Sequence, residues 1–205
     1  MTISRPDESS NDNALVTEIN DAISVASDIH RKLTIEKNSI LDTATFEEDP
    51  TSFIAAAEKL LDDGHHQGVE ELTLGLIQNG IDDANVYNLL GRAFFAQSAF
   101  DSAIQAFEMG LIVDPEDTRL RLNLSSAQAE SGDLVEALAS VDEVIQKNED
   151  NAVAFFNRGI LHYRRASEEL ACADLNYALQ LDPSLEIAEN ALAEIESFRT
   201  AKLQN

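Results

Sequence analysis

Two adjacent histidines, His65 and His66, and a lone cysteine, Cys172, are the first places to look for metal or covalent chemistry in this 205-residue chain. Neighbouring positions do not share a face of a helix, and no cysteine or carboxylate stands at ligand spacing from the pair. The histidines therefore predict no metal site. Cys172 stands beside an alanine in an apolar helical run, so a packed, inert thiol is expected. One cysteine excludes an intrachain disulfide and suits a reducing compartment. There is no phosphate loop, no glycine pair behind a strand and no strand pattern. Asn123–Leu124–Ser125 fits a glycosylation acceptor but falls within a helical pattern. The expectation is a chain that is not an enzyme and holds no cofactor.

The remaining chemistry is charge. Fourteen basic residues face 38 acidic ones, for a formal charge of -24. Such a surface repels phosphates and anionic lipid, which argues against nucleic acid or a membrane as partner. No run reaches the roughly 18 apolar residues of a membrane-spanning helix. The opening MTISRPDESSNDN has no apolar region like that of a secretory signal, so a cytoplasmic location is expected.

The elements that must position these groups read as helices throughout. Residues 1–13 predict a disordered tail. Residues 14–49 predict a helix over 14–41, striped by Leu15, Ile19, Ala22, Ala26, Ile29 and Leu33, and then an acidic linker. Beyond Pro50 a period emerges. Ala103, Ala137 and Ala171 stand 34 residues apart, as do Gly91, Ser125 and Gly159. Phe107, Val141 and Leu175 share a third phase, and Pro115 and Pro183 lie two periods apart with Glu149 between them. Small residues let two helices approach closely, and proline pushes the preceding Asp114 or Asp182 out of helical geometry. "GDLVEAL" offers a glycine turn, then Asp133 as N-cap with Glu136 three residues on, a capping box. One unit is helix, tight turn, helix.

This pattern resembles the tetratricopeptide repeat, a 34-residue pair of antiparallel helices. Tyr87, Leu90, Gly91, Phe94, Ala103, Phe107 and Pro115 match its motif positions, as do Phe155, Gly159, Ala171, Ala178 and Pro183. Arg158 and His162 depart from it, and in the unit between, Arg121 and Glu149 do. An upstream unit keeps Phe53, Ala57, Leu60, Gly64 and Leu76 but departs at Val69 and Thr73. The resemblance implies an all-α fold, an alpha-alpha superhelix with an N-terminal helix. Its solenoid covers 50–185, in units 50–83 (degenerate), 84–117, 118–151 and 152–185, and a capping helix covers 186–205.

Charge is sorted by helix. The first helices of the three clear units carry Arg92, Arg119, Arg121, Arg158, Arg164 and Arg165 against one acid, Glu130, whereas the second helices carry nine acids and one lysine. The family lines its concave groove with first helices. The resemblance thus implies a groove more basic than the back, lined by Asn85, Asn88, Leu89, Arg92 and Phe95, by Arg119, Leu122, Asn123 and Ser126, and by Val153, Phe156, Asn157, Ile160, Tyr163 and Arg164. Asparagine amides suit an extended peptide backbone, and arginines suit carboxylates. The competing expectation is that these arginines pair with acidic second helices, Arg121 and Arg158 above all. Family members that clamp a heat-shock chaperone's C-terminal carboxylate use Lys, Asn, Asn, Lys and Arg. The matching positions here are Asn88, Arg92, Asn123, Val153 and Asn157, of which only Asn123 agrees.

The functional expectation is a non-enzymatic adapter or scaffold that binds a protein or peptide segment carrying acidic and apolar residues. The alternatives are a dedicated secretion or assembly chaperone and a regulatory subunit of an enzyme. The helix over 14–41 is expected to cap the solenoid, with homodimerisation or occupation of the groove as the rival roles.

Overall fold

The computed structural model describes residues 50–203, so the expected tail, the helix over 14–41 and its linker lie outside the described residues. Within them run α1 (Pro50–Asp62), α2 (His66–Gln78), α3 (Ala84–Ala96), α4 (Phe100–Val113), α5 (Thr118–Ser131), α6 (Leu134–Lys147), α7 (Ala152–Arg164), α8 (Glu168–Leu181) and α9 (Glu186–Leu203). Each helix packs on its neighbours in sequence. The first helices α1, α3, α5 and α7 also touch one another in series, while among the described residues the second helices make no comparable contact. The described chain is an all-α solenoid with first helices on its inner face.

The turn inside each unit is set by one left-handed residue. Gly64 (φ 77°), Ser98 (φ 59°), Gly132 (φ 104°) and Ala166 (φ 57°) recur every 34 positions. Two are glycine, which adopts this conformation freely, and two are not. The first helices α3, α5 and α7 are capped by side chains. Asp83 accepts from the Asn85 amide, Asp117 from those of Arg119 and Leu120, and Asn151 from that of Ala154. The expected capping box at Asp133 does not form. Asp133 has ψ 63° and makes no side-chain cap, and its carboxylate accepts from the Ser131 hydroxyl instead. His65, Ala99 and Ser167 start the other second helices at ψ 60–66° without a side-chain cap. A two-residue turn leaves this position no extended backbone from which to reach N2 or N3.

The ends of second helices follow the proline rule. Asp114 (ψ 91°) and Asp182 (ψ 94°) are extended before their prolines, and Asn148 (ψ 92°) adopts the same form before Glu149. The first pair exits differently, through Asn79 and left-handed Gly80. Its departures are otherwise absorbed. Val69 and Thr73 are fully buried, and the Thr73 hydroxyl donates to the Val69 carbonyl at 2.7 Å.

Packing depends on the small-residue column. A methyl added to Gly91 would lie 2.4 Å from the Phe107 ring, and one added to Gly159 would lie 2.9 Å from Leu175. Ser125 holds the equivalent place in the middle unit, 1% exposed, its hydroxyl donating to the Ala137 carbonyl at 2.9 Å. Ala188 and Ile195 of α9 are buried in the same cluster as Ala171, Leu175 and Ala178 of α8. No helix among the described residues is long and apolar enough to cross a membrane.

Two substitutions separate these constraints. Gly91→Ala overpacks against Phe107 and is expected to cost about 1–3 kcal/mol in urea unfolding. Ala166→Gly relieves a left-handed alanine and is expected to gain roughly 1 kcal/mol in the same assay.

Candidate functional site

A recess of about 400 Å³ opens between the first three units, lined by Leu61, His66, Arg92, Phe95, Ala96, Phe107, Asn123 and Ser126. Its position follows from helix order. Arg92, Phe95 and Ala96 come from the last turns of α3. Asn123 and Ser126 come from the middle of α5, the first helix of the next unit. Leu61 ends α1 and His66 opens α2. Phe107, 1% exposed, forms the floor from α4.

The polar groups of the recess are only partly used within the protein. The Asn123 side-chain amide donates to the Asn88 side-chain oxygen Oδ1 at 2.7 Å, linking one unit to the next. The Ser126 hydroxyl donates to the Leu122 carbonyl at 3.0 Å. Both residues therefore turn acceptor capacity to whatever occupies the recess. Arg92 is exposed and forms no ion pair among the described residues. His66 Nδ1 is buried with no hydrogen-bond partner, the one such side-chain atom among the described residues. An unsatisfied buried group of this kind costs on the order of 1–3 kcal/mol.

The structure thus gathers four of the expected groove residues, Arg92, Phe95, Asn123 and Ser126, into one recess. It disposes of the others differently. Asn88 is 3% exposed and acts beneath the surface by orienting Asn123. Leu89, 1% exposed, belongs to the core and not to the groove. Asn85 is half-buried, its amide reaching Glu58 at 3.4 Å. Phe156, Ile160 and Tyr163 pack on the core of the later units, and Asn157 is half-buried on the same helix. Arg119 is tied to its own cap, Asp117, at 3.1 Å, and Arg164 bonds Glu130 of α5 at 2.6 Å. None of these residues lines the recess.

Arg121 and Arg158 pair with acidic second helices, as the competing expectation has it. Arg121 bonds Glu143 of α6 and the Pro115 carbonyl. Arg158 grips Asp174 of α8 through two bonds of 2.8 Å, reaches Asp142 of α6 at 2.9 Å, and lies 5.2 Å from the Phe155 ring centroid. The Asp174 carboxylate holds the guanidinium pKa above its ordinary value, against the opposing effect of burial. His162 Nε2 approaches the same carboxylate at 3.7 Å. The Tyr87 phenol, buried in α3 beside Asp82, is pushed up to about 12. Among the described residues no three His, Cys, Asp or Glu side chains converge as a metal site.

Sequence reasoning weighed the histidines only as metal ligands, whereas His66 opens α2 and lines the recess. The repeat register carries the signal. His66, Phe100, Leu134 and Glu168 occupy one phase, each the first residue of a second helix. Phe100 stacks edge-on against Phe95, ring centroids 5.6 Å apart, and Leu134 packs on the core. The first unit has an imidazole where the next two have an apolar residue.

This architecture has known counterparts. Residues 88–152 and 122–186 each match the tetratricopeptide repeat family, and the chain belongs to it. It is 27% identical over 110 residues to the Hsp70-Hsp90 organising protein of Plasmodium falciparum, a match covering 53% of this chain and 43% of that one, so less than half of that relative is represented. The fold resembles the first tetratricopeptide domain of Spaghetti (RPAP3) bound to the HSP90 peptide SRMEEVD. That match has a TM-score of 0.53 and 25% identity, and covers 58% of this chain and 94% of that domain. YrrB shares the fold with a TM-score of 0.62 at 18% identity, each chain covered to 87%.

The two classes of arginine should differ in stability. Asp174→Ala leaves the half-buried Arg158 with Asp142 as its remaining carboxylate and is expected to cost about 1–3 kcal/mol. Glu130→Ala breaks an exposed pair and should cost less than about 1 kcal/mol. Urea midpoints of the two variants measure both.

Proposed function

We propose that the protein is a non-enzymatic adapter that holds a partner segment, carrying acidic and apolar residues, along the inner face formed by α3, α5 and the adjoining ends of α1 and α2. The observation that carries this reading is the recess spanning three successive units, where Arg92 is free of ion pairs among the described residues and Asn123 is fixed in place by Asn88. Its apolar walls, Leu61, Phe95 and Phe107, suit an aliphatic or aromatic side chain. The 25%-identical domain of Spaghetti that holds SRMEEVD supports the peptide mode of binding. Only Asn123 is kept of the five residues with which family members clamp a chaperone tail, so the partner is met here by a different set of donors.

Photo-crosslinking from full-length protein tests the surface. With p-benzoylphenylalanine at position 126, partner adducts are expected and should fall in Arg92→Ala/Asn123→Ala. The same probe at position 143, on the acidic α6, should give none. Adducts from position 143 alone would move the binding surface to the back.

A further inference from the structure

The helix expected over 14–41 carries an apolar stripe, and α1 shows whether the first end of the solenoid needs one. Every later first helix buries two residues on the side of the pair before it. One series runs Val86, Leu120, Ala154, Ala188 and the other Ala93, Ala127, Leu161, Ile195, all at 34-residue intervals and none more than 3% exposed. Leu120 packs where Gly110 of α4 lacks a side chain, Ala93 joins the cluster of Ala57 and Val69, and Ile195 that of Ala171 and Leu175. In α1 the same two positions hold Ser52 and Lys59, both exposed, and Ala55 between them is exposed as well. The face that would receive a further element is already polar, as a terminal repeat requires, so α1 closes this end without help.

The stripe has a symmetry that supplies its own partner. Leu15, Ile19, Ala22, Ala26, Ile29 and Leu33 alternate steps of four and three residues, the spacing of a two-helix seam. They also read alike from either end. Reversed about Ser24, Leu15 falls opposite Leu33, Ile19 opposite Ile29 and Ala22 opposite Ala26, and Glu18 comes beside the run His30, Arg31, Lys32. Residues 14–41 hold four acids and three bases, so pairing them meets little of the repulsion that a chain charge of -24 imposes elsewhere. We infer that residues 14–41 pair antiparallel with the same residues of a second copy, across a two-fold axis at the level of Ser24. A contact of this kind uses one patch twice, so it demands a self-complementary sequence, which a cap does not. Each particle then carries two inner faces.

Sedimentation velocity of the full-length chain at increasing concentration tests the pairing, and urea unfolding of the same samples tests the end. The tyrosines, Tyr87, Tyr163 and Tyr177, all lie in the solenoid, so their fluorescence follows its unfolding alone. Wild type should approach twice the mass of one chain. Ile19→Asp/Ile29→Asp should sediment as one chain with an unchanged tyrosine midpoint, and Ala55→Glu should alter neither reading. Orientation is read by oxidation in a Cys172→Ala background. Leu15→Cys alone should stay unlinked, whereas its mixture with Leu33→Cys should yield disulfide-linked dimers. A single-chain mass for wild type at every concentration, an undiminished mass for Ile19→Asp/Ile29→Asp, or linkage of Leu15→Cys to itself would overturn the antiparallel pair. A midpoint lowered by Ala55→Glu or by Ile19→Asp/Ile29→Asp would overturn the self-closed end and return the helix to the role of cap.

Discussion

The solenoid depends on how closely two helices of a unit can approach. At Gly91 the ring of Phe107 occupies the space of a missing Cβ, and at Gly159 Leu175 does the same. Gly110 extends the rule across units, because a methyl there would lie 2.8 Å from Leu120 of the next first helix. These contacts fix the distances within and between units, and so the line of first helices along the inner face. Ser125 keeps the spacing in the middle unit with a hydroxyl that must find a partner and does, on the Ala137 carbonyl. Packing at organic-crystal density leaves no room for a larger choice at any of these points.

Charge then divides the arginines by task. Arg158 stands where the repeat usually carries an apolar residue, and it is tolerated because Asp174 and Asp142 meet it from α8 and α6. Asp174 is itself buried, at 8% exposure, so its pair with Arg158 replaces apolar packing within the fourth unit, and Asp142 ties that unit to the third. Such a joint adds little net stability over an apolar one but is costly to break. Arg164 and Arg119 are spent on nearby acids at the surface. Arg92 alone of the recess-lining residues brings a full positive charge to it.

The repeat frame was legible in the sequence because its constraints are local and periodic. A small residue every 34 positions, an apolar one four residues along the same helix, and a proline stop each act within one unit. The first helices of the three clear units consequently recur in step, with α3, α5 and α7 starting 34 residues apart at Ala84, Thr118 and Ala152. The site was less legible. Which arginine stays free depends on the reach of flexible side chains to acids 16 to 34 residues away, as in Arg158–Asp174 and Arg164–Glu130. Asn88 looked like a groove ligand by helical phase, but helix α5 packs close enough to bury it. His66 was considered only as a metal ligand beside its neighbour, although its register with Phe100 and Leu134 places it at the start of a second helix.

Helices that contact chiefly their neighbours along the chain make stability nearly one-dimensional. Opening can then begin at an end and travel inward, one unit at a time, with the later units intact. The Asn88–Asn123 bond is one of the few side-chain ties across the second and third units, and the recess beside it is bounded by the first three. Anything seated there acts as a splint, holding the degenerate end against fraying by as much as it is bound. Recognition and the persistence of the first pair are therefore one equilibrium. The segment of the chain least faithful to the repeat is also the one whose order a partner can most readily change.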